Sequence, residues 1–387
     1  MTAPKFRFPV CEPFLAGNEL KYATDAIKTG WISSSGKYVT LFEKKFAEYC
    51  GAHHASTACN GTAALHLALK AADIGEGDEV ILPNFTMSAT AFSACYVGAS
   101  PVFVDADPNT WNINPDLIID KITERTKALL ITSIFGNPCD MKKIQTIAAK
   151  NNLVLIEDAA ESIGAEYDGK KTGNLADITA FSFYANKNIT TGEGGMVVTN
   201  NKEMHKKVNY FKNMCFPPEG KRIYIHNDIG FNYRLSNVLC AIGLAQLEKA
   251  DYYRDCRIKN AAIYKKCLRS VPGIIFQKDT KKALNVHWMN SIIIDENLFG
   301  HNRDDLMDFL EDKMIETRLL FTGMHKQPAL KKYLGNKEES DHYPVSDYLT
   351  ENGLYLPSGS ALTKSGIESI CECIKSFYES SSGKNIF

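Results

Sequence analysis

Between about residues 55 and 200, short apolar runs alternate with stretches of helical periodicity, and this alternation limits the possible folds more than any other feature of the chain. The runs Glu79–Pro83, Pro101–Asp105, Ala128–Thr132, Leu153–Glu157, Ile178–Ser182 and Met196–Thr199 are β-branched and apolar on consecutive residues. Strands buried on both faces have that pattern. Between them lie helix-like stretches: Gly61–Ala72, which carries Leu65, Leu67, Ala68 and Leu69, and Met141–Asn151. Such alternation predicts an α/β fold, a mainly parallel sheet flanked by helices, with ligands beyond the carboxyl ends of the strands.

Further on, Leu235–Ala250 predicts one helix with Leu239, Ile242, Leu244 and Leu247 on its apolar face, and Asp251–Val271 a second, more charged one. Beyond residue 272 the pattern changes. Gly273–Phe276 and Trp288–Ile294 suit strands, while Arg303–Lys313 and Gly366–Ser380 suit helices. The expected organisation is a large unit over 12–250 and a smaller α+β unit over 251–387, with segment 1–11 packing on the latter. Two such units fit a chain of 387 residues. The polar tail Ser380–Lys384 is expected to fray.

Composition removes several function classes. Hydrophobic residues at 44% and charged residues at 23% are those of a folded globular protein. With 44 Lys plus Arg against 45 Asp plus Glu there is no basic excess, so nucleic acid is not an expected partner. Pro4, Pro9 and Pro13 interrupt the first residues where a signal peptide would need an apolar core. No run approaches the roughly 18 apolar residues of a membrane helix. The 11 cysteines are scattered, the closest being Cys371 and Cys373, without the spacing of a redox pair or a zinc site. They read as unpaired thiols of a cytoplasmic protein with no metal.

Three segments carry chemistry. In Phe181–Gly195 a strand ends and a polar loop follows with Lys187 and three glycines, which matches neither a Walker A loop nor a dinucleotide fingerprint. A lysine there is ordinarily a solvated surface residue. In Leu153–Glu161, Asp158 directly follows an apolar strand, where it can cap a helix or hold a cationic ring nitrogen. In Ala58–Leu65, small residues run straight into a helix, whose free N–H groups and positive end suit a phosphate. Each alone is weak. Together, a phosphate cradle, a strand-end Asp and a strand-end Lys are what pyridoxal 5'-phosphate requires: Lys187 for the Schiff base and proton transfer, and a carboxylate to keep the ring nitrogen protonated.

The stretches Gly30–Ser34, Asn60–Leu69, Glu157–Glu161, Ser182–Lys187, Thr190–Gly195 and Gly230–Asn237 resemble the DegT/StrS family of fold-type I sugar-nucleotide aminotransferases. The similarity spans nearly the whole chain. The resemblance implies that Lys187 is the Schiff-base lysine, that Asp158 pairs with the pyridinium and that Glu161 sits near the ring hydroxyl. It implies that Thr62, Ala63 and Ser182 hold the phosphate and that Asn232 reaches it from the other subunit of a homodimer. Trp31, Ser33, Tyr184 and His325 are the expected sugar-nucleotide contacts, although aromatics such as Trp31 and Trp288 equally suit a core or an interface. One position departs from the family pattern. Met87 stands where an aromatic ring usually stacks on the cofactor, and a thioether contact of about 0.3–1.5 kcal/mol would replace it.

The implied reaction transfers an amino group from L-glutamate to C4 of a nucleotide-linked 4-keto-6-deoxy sugar, with GDP as the first expectation and UDP or dTDP open. Two alternatives remain at this level. A sugar 3-dehydratase of similar fold would carry His at the lysine position, against which Lys187 weighs. A cofactor-binding regulator without turnover is the other.

Overall fold

The computed structural model describes residues 6–217, 224–334 and 342–381. Its centre is a seven-stranded sheet: β1 (His54–Ala58), β2 (Glu79–Pro83), β3 (Ser100–Val104), β4 (Thr126–Thr132), β5 (Val154–Asp158), β6 (Ile178–Ser182) and β7 (Gly195–Thr199). The spatial order is β1-β7-β6-β5-β4-β2-β3. β3, β2, β4, β5 and β6 pair in parallel, and β7 runs antiparallel to both β6 and β1. The expected α/β architecture with a mainly parallel sheet is therefore what the chain forms.

Side chains alternate across this sheet and both faces are covered. Val80, Leu82, Ala128, Leu130, Ile156 and Ala180 join one core cluster with the helix Gly61–Ala71. Ile81, Leu129, Ile131 and Leu155 face the other way, onto the helix Met141–Lys150. On that second side Phe181, Met196 and Val198 meet Phe42 and Phe46 of the helix Lys37–Cys50. Burial on both faces is why these strands read as unbroken apolar runs.

β1 was not predicted as a strand. Its sequence, His-Ala-Ser-Thr-Ala, carries no apolar run, and pairing with β7 at the sheet edge alone makes it one. The expected helix Leu235–Ala250 is shorter, Asn237–Leu247, capped by the Ser236 side chain, and the next helix spans Ala250–Leu268.

A second, antiparallel sheet follows the order Ile274–Phe276, Asn290–Ile294, Gly353–Leu356, Arg318–Leu319. The helices Ala250–Leu268, Arg303–Asp312 and Lys364–Ser381 pack on it through Tyr264, Leu306, Leu310, Ile367 and Ile374. Near the amino end, Arg7 and Phe8 donate N–H bonds to the Met314 carbonyl, and Phe8 accepts one from Glu316. Ser380 lies within the last helix, while positions 382–384 of the expected frayed tail fall outside the described residues. All 11 cysteines are unpaired. Among the described residues, no helix is long and apolar enough to cross a membrane.

Candidate active site

β5 and β6 lie side by side, with Asp158 paired in register with Ala180, so the chain leaves both strands at the same edge of the sheet. Asp158 is buried there and held on both carboxylate oxygens. Thr90 Oγ1 donates to Oδ2 at 2.8 Å and the Ala160 N–H to Oδ1 at 3.1 Å. Thr90 is itself fixed by a chain of buried hydroxyls, 3.0 Å to Thr86 and 3.0 Å from Thr86 to Thr132. Burial raises the Asp158 carboxyl above its usual range, while the two hydrogen bonds and Lys187 oppose the shift. A cationic ring nitrogen beside it would favour the ionised form further.

Glu161 lies in the turn after β5 and is buried. The Phe135 N–H reaches its Oε2 at 2.7 Å, from a residue at φ +55°. A bulky side chain rarely adopts that conformation, and here it aims the donor at the carboxylate. Burial pushes the Glu161 pKa up to about 7, against the pull of Lys187.

The loop after β6 folds on itself, with Lys187 N–H donating to the Tyr184 carbonyl at 3.0 Å. The Lys187 Nζ lies 3.8 Å from the centre of the Trp288 ring, and the Trp288 indole N–H donates to the Asn186 carbonyl at 2.9 Å. Burial lowers the Lys187 pKa, whereas Glu161 and Asp158 act to raise it.

Opposite stands the opening turn of the helix Gly61–Ala71. The Asn60 side chain accepts the Ala63 N–H at 2.8 Å and its carbonyl takes the Ala64 N–H, which leaves Gly61 and Thr62 on the cavity wall. Glycine is required for the close approach: a Cβ on Gly61 would lie 2.8 Å from Ser182 Cβ. β7 begins equally tightly, because a Cβ on Gly195 would lie 2.4 Å from the Asn60 carbonyl oxygen.

Thr62, Met87, Asp158, Glu161, Ser182, Tyr184 and Lys187 thus line one cavity of about 440 Å³. Met87 is also the N-cap of the next helix, its sulfur accepting the Ala89 N–H at 3.0 Å. Ala63 stands behind the wall, its N–H engaged by Asn60, while Gly61 and Thr62 line the cavity. Other expected residues are elsewhere. Asn232 is exposed and bridged to Asn213. Trp31 is exposed, and its carbonyl accepts from Asn237 at 2.6 Å. Ser33 lines a separate cleft of about 1010 Å³ with Arg234 and Lys212. His325 is held by Asn84, whose Oδ1 accepts its N–H at 2.9 Å, and its Nε2 lies 3.3 Å from Asp347.

Sequence reasoning missed Thr90, Phe135 and Phe321, the last on the cavity wall, and weighed Trp288, also on that wall, as a core or interface aromatic. Thr90 had a readable signal, since it lies on the helix that follows β2. Phe321 and Trp288 come from or beside the second sheet and had none.

The donor set fits pyridoxal 5'-phosphate. It offers a helix opening with small residues for an anion, a buried carboxylate for a ring nitrogen, a second carboxyl, and an amine. The Asn186 Oδ1, buried with no partner among the described residues, adds an unfilled acceptor at the same wall. When bound, that cofactor supplies an electron-withdrawing ring that stabilises negative charge on the substrate carbon.

Comparison with known proteins agrees with this geometry. Residues 13–375 match the DegT/DnrJ/EryC1/StrS aminotransferase family. The chain is 42% identical over 370 residues to the GDP-perosamine synthase of Escherichia coli O157:H7, covering 96% of this chain and 98% of the relative. It is 40% identical over 370 residues to the GDP-perosamine synthase of Vibrio cholerae, covering 96% and 99%. The solved structure of Helicobacter pylori PseC, an aminotransferase of pseudoaminic acid biosynthesis, superposes with a TM-score of 0.89 at 25% identity, covering 96% and 99%. The chain belongs to the DegT/DnrJ/EryC1/StrS family of pyridoxal phosphate-dependent aminotransferases.

Proposed function

We propose that the protein transfers an amino group from L-glutamate to C4 of a nucleotide-linked 4-keto-6-deoxy sugar, giving GDP-perosamine. The observation that carries the reading is the Lys187 amine in the same cavity as Asp158, Glu161 and the Gly61–Thr62 helix opening. Identity of 40–42% to GDP-perosamine synthases supports the acceptor. Asp158, pinned by Thr90, would hold the ring nitrogen in its protonated form. Gly61, Thr62 and Ser182 would hold the phosphate through N–H and hydroxyl donors. Lys187 would take the proton from the donor's α-carbon and return one at C4 of the sugar. Tyr184 and Met87, both exposed at the cavity mouth, would face the incoming substrates.

Part of the site would come from a second copy of the chain. Asn232 lies outside this cavity, and a homodimer that brings in the other copy's Asn232 would complete the phosphate contacts. The same reading gives Trp31, Ser33 and His325 to the sugar nucleotide, places the enzyme in the cytoplasm, and divides the chain into a cofactor-binding unit at 12–250 and a smaller one at 251–387.

The test follows the visible absorbance of the holoenzyme. L-glutamate is expected to bleach it, and the GDP-linked 4-keto-6-deoxy sugar to restore it. Recovery only with the UDP- or dTDP-linked sugar would move the acceptor to those nucleotides. Absence of bleaching by glutamate would overturn the donor, and a product deoxygenated at C3 would overturn the reaction.

A further inference from the structure

Arg257 is one of the largest fully buried side chains, at 2% exposure, and no carboxylate pairs with it among the described residues. A buried cation without an acidic partner is costly, so its surroundings must offer something else. They offer carbonyls. Nη1 donates to the Trp288 carbonyl, and Nη2 lies 3.4 Å from the Asn186 carbonyl, 3.5 Å from that of Lys187 and 3.3 Å from Cys11 Sγ. Nε has no partner. The Asn186 carbonyl is a shared anchor, since the Trp288 indole N–H also donates to it at 2.9 Å and the Cys11 thiol lies 3.5 Å away. Arg257 thus ties the lysine loop to Trp288, whose ring in turn faces the Lys187 amine.

We propose that Arg257 is a positioning residue for Lys187: it fixes the lysine loop from behind, through the Asn186 and Lys187 carbonyls, and places a cation without a carboxylate partner beside that loop. The inference rests on the reading of Lys187 as the reacting lysine. Guanidinium suits the task because its planar fork can serve three carbonyls from one fixed plane, which an ammonium cannot. The charge has a use as well. Asp158 and Glu161 face the Lys187 amine and favour its protonated form, while Arg257 opposes them alongside burial. An amine that must act as nucleophile and base has to be uncharged for part of its cycle. Arg257 supplies the counterweight without touching cofactor or substrate.

The experiment uses the holoenzyme, with the pH midpoint of the visible band of bound pyridoxal phosphate read beside kcat and KM. Removing a cation raises a nearby amine's pKa, so Arg257→Met is expected to move the midpoint upward by about one unit. Its kcat is expected to fall about tenfold or more, with KM for the sugar nucleotide nearly unchanged. Arg257→Lys should restore the midpoint but not the full kcat. A folded Arg257→Met enzyme with midpoint and kcat at wild-type values would overturn the inference. If that variant does not fold, Arg257→Lys decides: it keeps the cation and loses the fork that spans the carbonyls, and a wild-type kcat there would overturn the inference equally. Lys187→Ala is run alongside. Turnover by it would overturn the underlying reading of Lys187, whereas its inactivity beside an unaffected Arg257→Met would remove the role of Arg257 alone.

Discussion

Thr90 donates its hydroxyl to the Oδ2 carboxylate oxygen of Asp158 at 2.8 Å, 68 residues apart in sequence. Thr90→Val keeps the shape and removes the donor, leaving a buried acceptor unsatisfied. The expected cost is about 1–3 kcal/mol, seen as weaker pyridoxal phosphate binding and a lower melting temperature of the cofactor-free protein. Equal affinity and equal melting temperature would show that Asp158 is held by other means.

Lys187→Ala is expected to fold, to keep the cofactor only non-covalently and to lose turnover by about a thousandfold or more. Circular dichroism would check the fold and amino transfer the loss. A rate within about tenfold of wild type would refute the assignment.

Glu157 and Glu161 give a pH signature. Burial raises both from the ordinary 4.5 to about 7, against the Ser133 hydroxyl and the Gly173 N–H that bond the Glu157 carboxylate. Between those values the folded protein holds more protons than the unfolded chain. Stability of the cofactor-free protein should therefore be highest at the acid end of that window, fall as pH rises from about 4.5 to about 7, and level off above it. Glu157 points to the sheet face opposite Asp158, so Glu157→Gln should weaken this slope without entering the cavity. Melting temperatures from about pH 5 to about pH 8 measure it, and a slope unchanged in Glu157→Gln would count against Glu157 as a source.

Gly195→Ala should be far more damaging than an ordinary surface change. Its Cβ would meet the Asn60 carbonyl oxygen at 2.4 Å, and backbone cannot swing aside as a side chain can. A loss of about 3 kcal/mol is expected, with weakened cofactor binding because Asn60 caps the helix whose first turn lines the cavity. Chemical denaturation would measure it. Near-wild-type stability would mean that the β7–Asn60 approach is loose.

The sequence by itself determined the parallel core of the large sheet and the elements that deliver its chemistry. β2 and β6 could be read at their full length, and β3, β4, β5 and β7 to within two residues at each end. The reason is that strands buried on both faces are mainly apolar, with few polar exceptions such as Glu157 and Thr179. Asp158 and Lys187 were legible for a related reason: Asp158 ends β5 and Lys187 lies in the loop after β6, at the carboxyl edge where ligands bind. Tertiary structure alone decided the rest. β1 is a strand because β7 lies beside it, not because of its five residues. The Trp288 indole reaches the lysine loop across 102 positions, and Arg257 reaches it across 70 or 71. No local pattern encodes contacts that long, because a buried aromatic or arginine has the same sequence context whether it lines a core or stands behind a reacting amine. Folding placed Trp288 on the cavity wall and Arg257 behind the lysine loop.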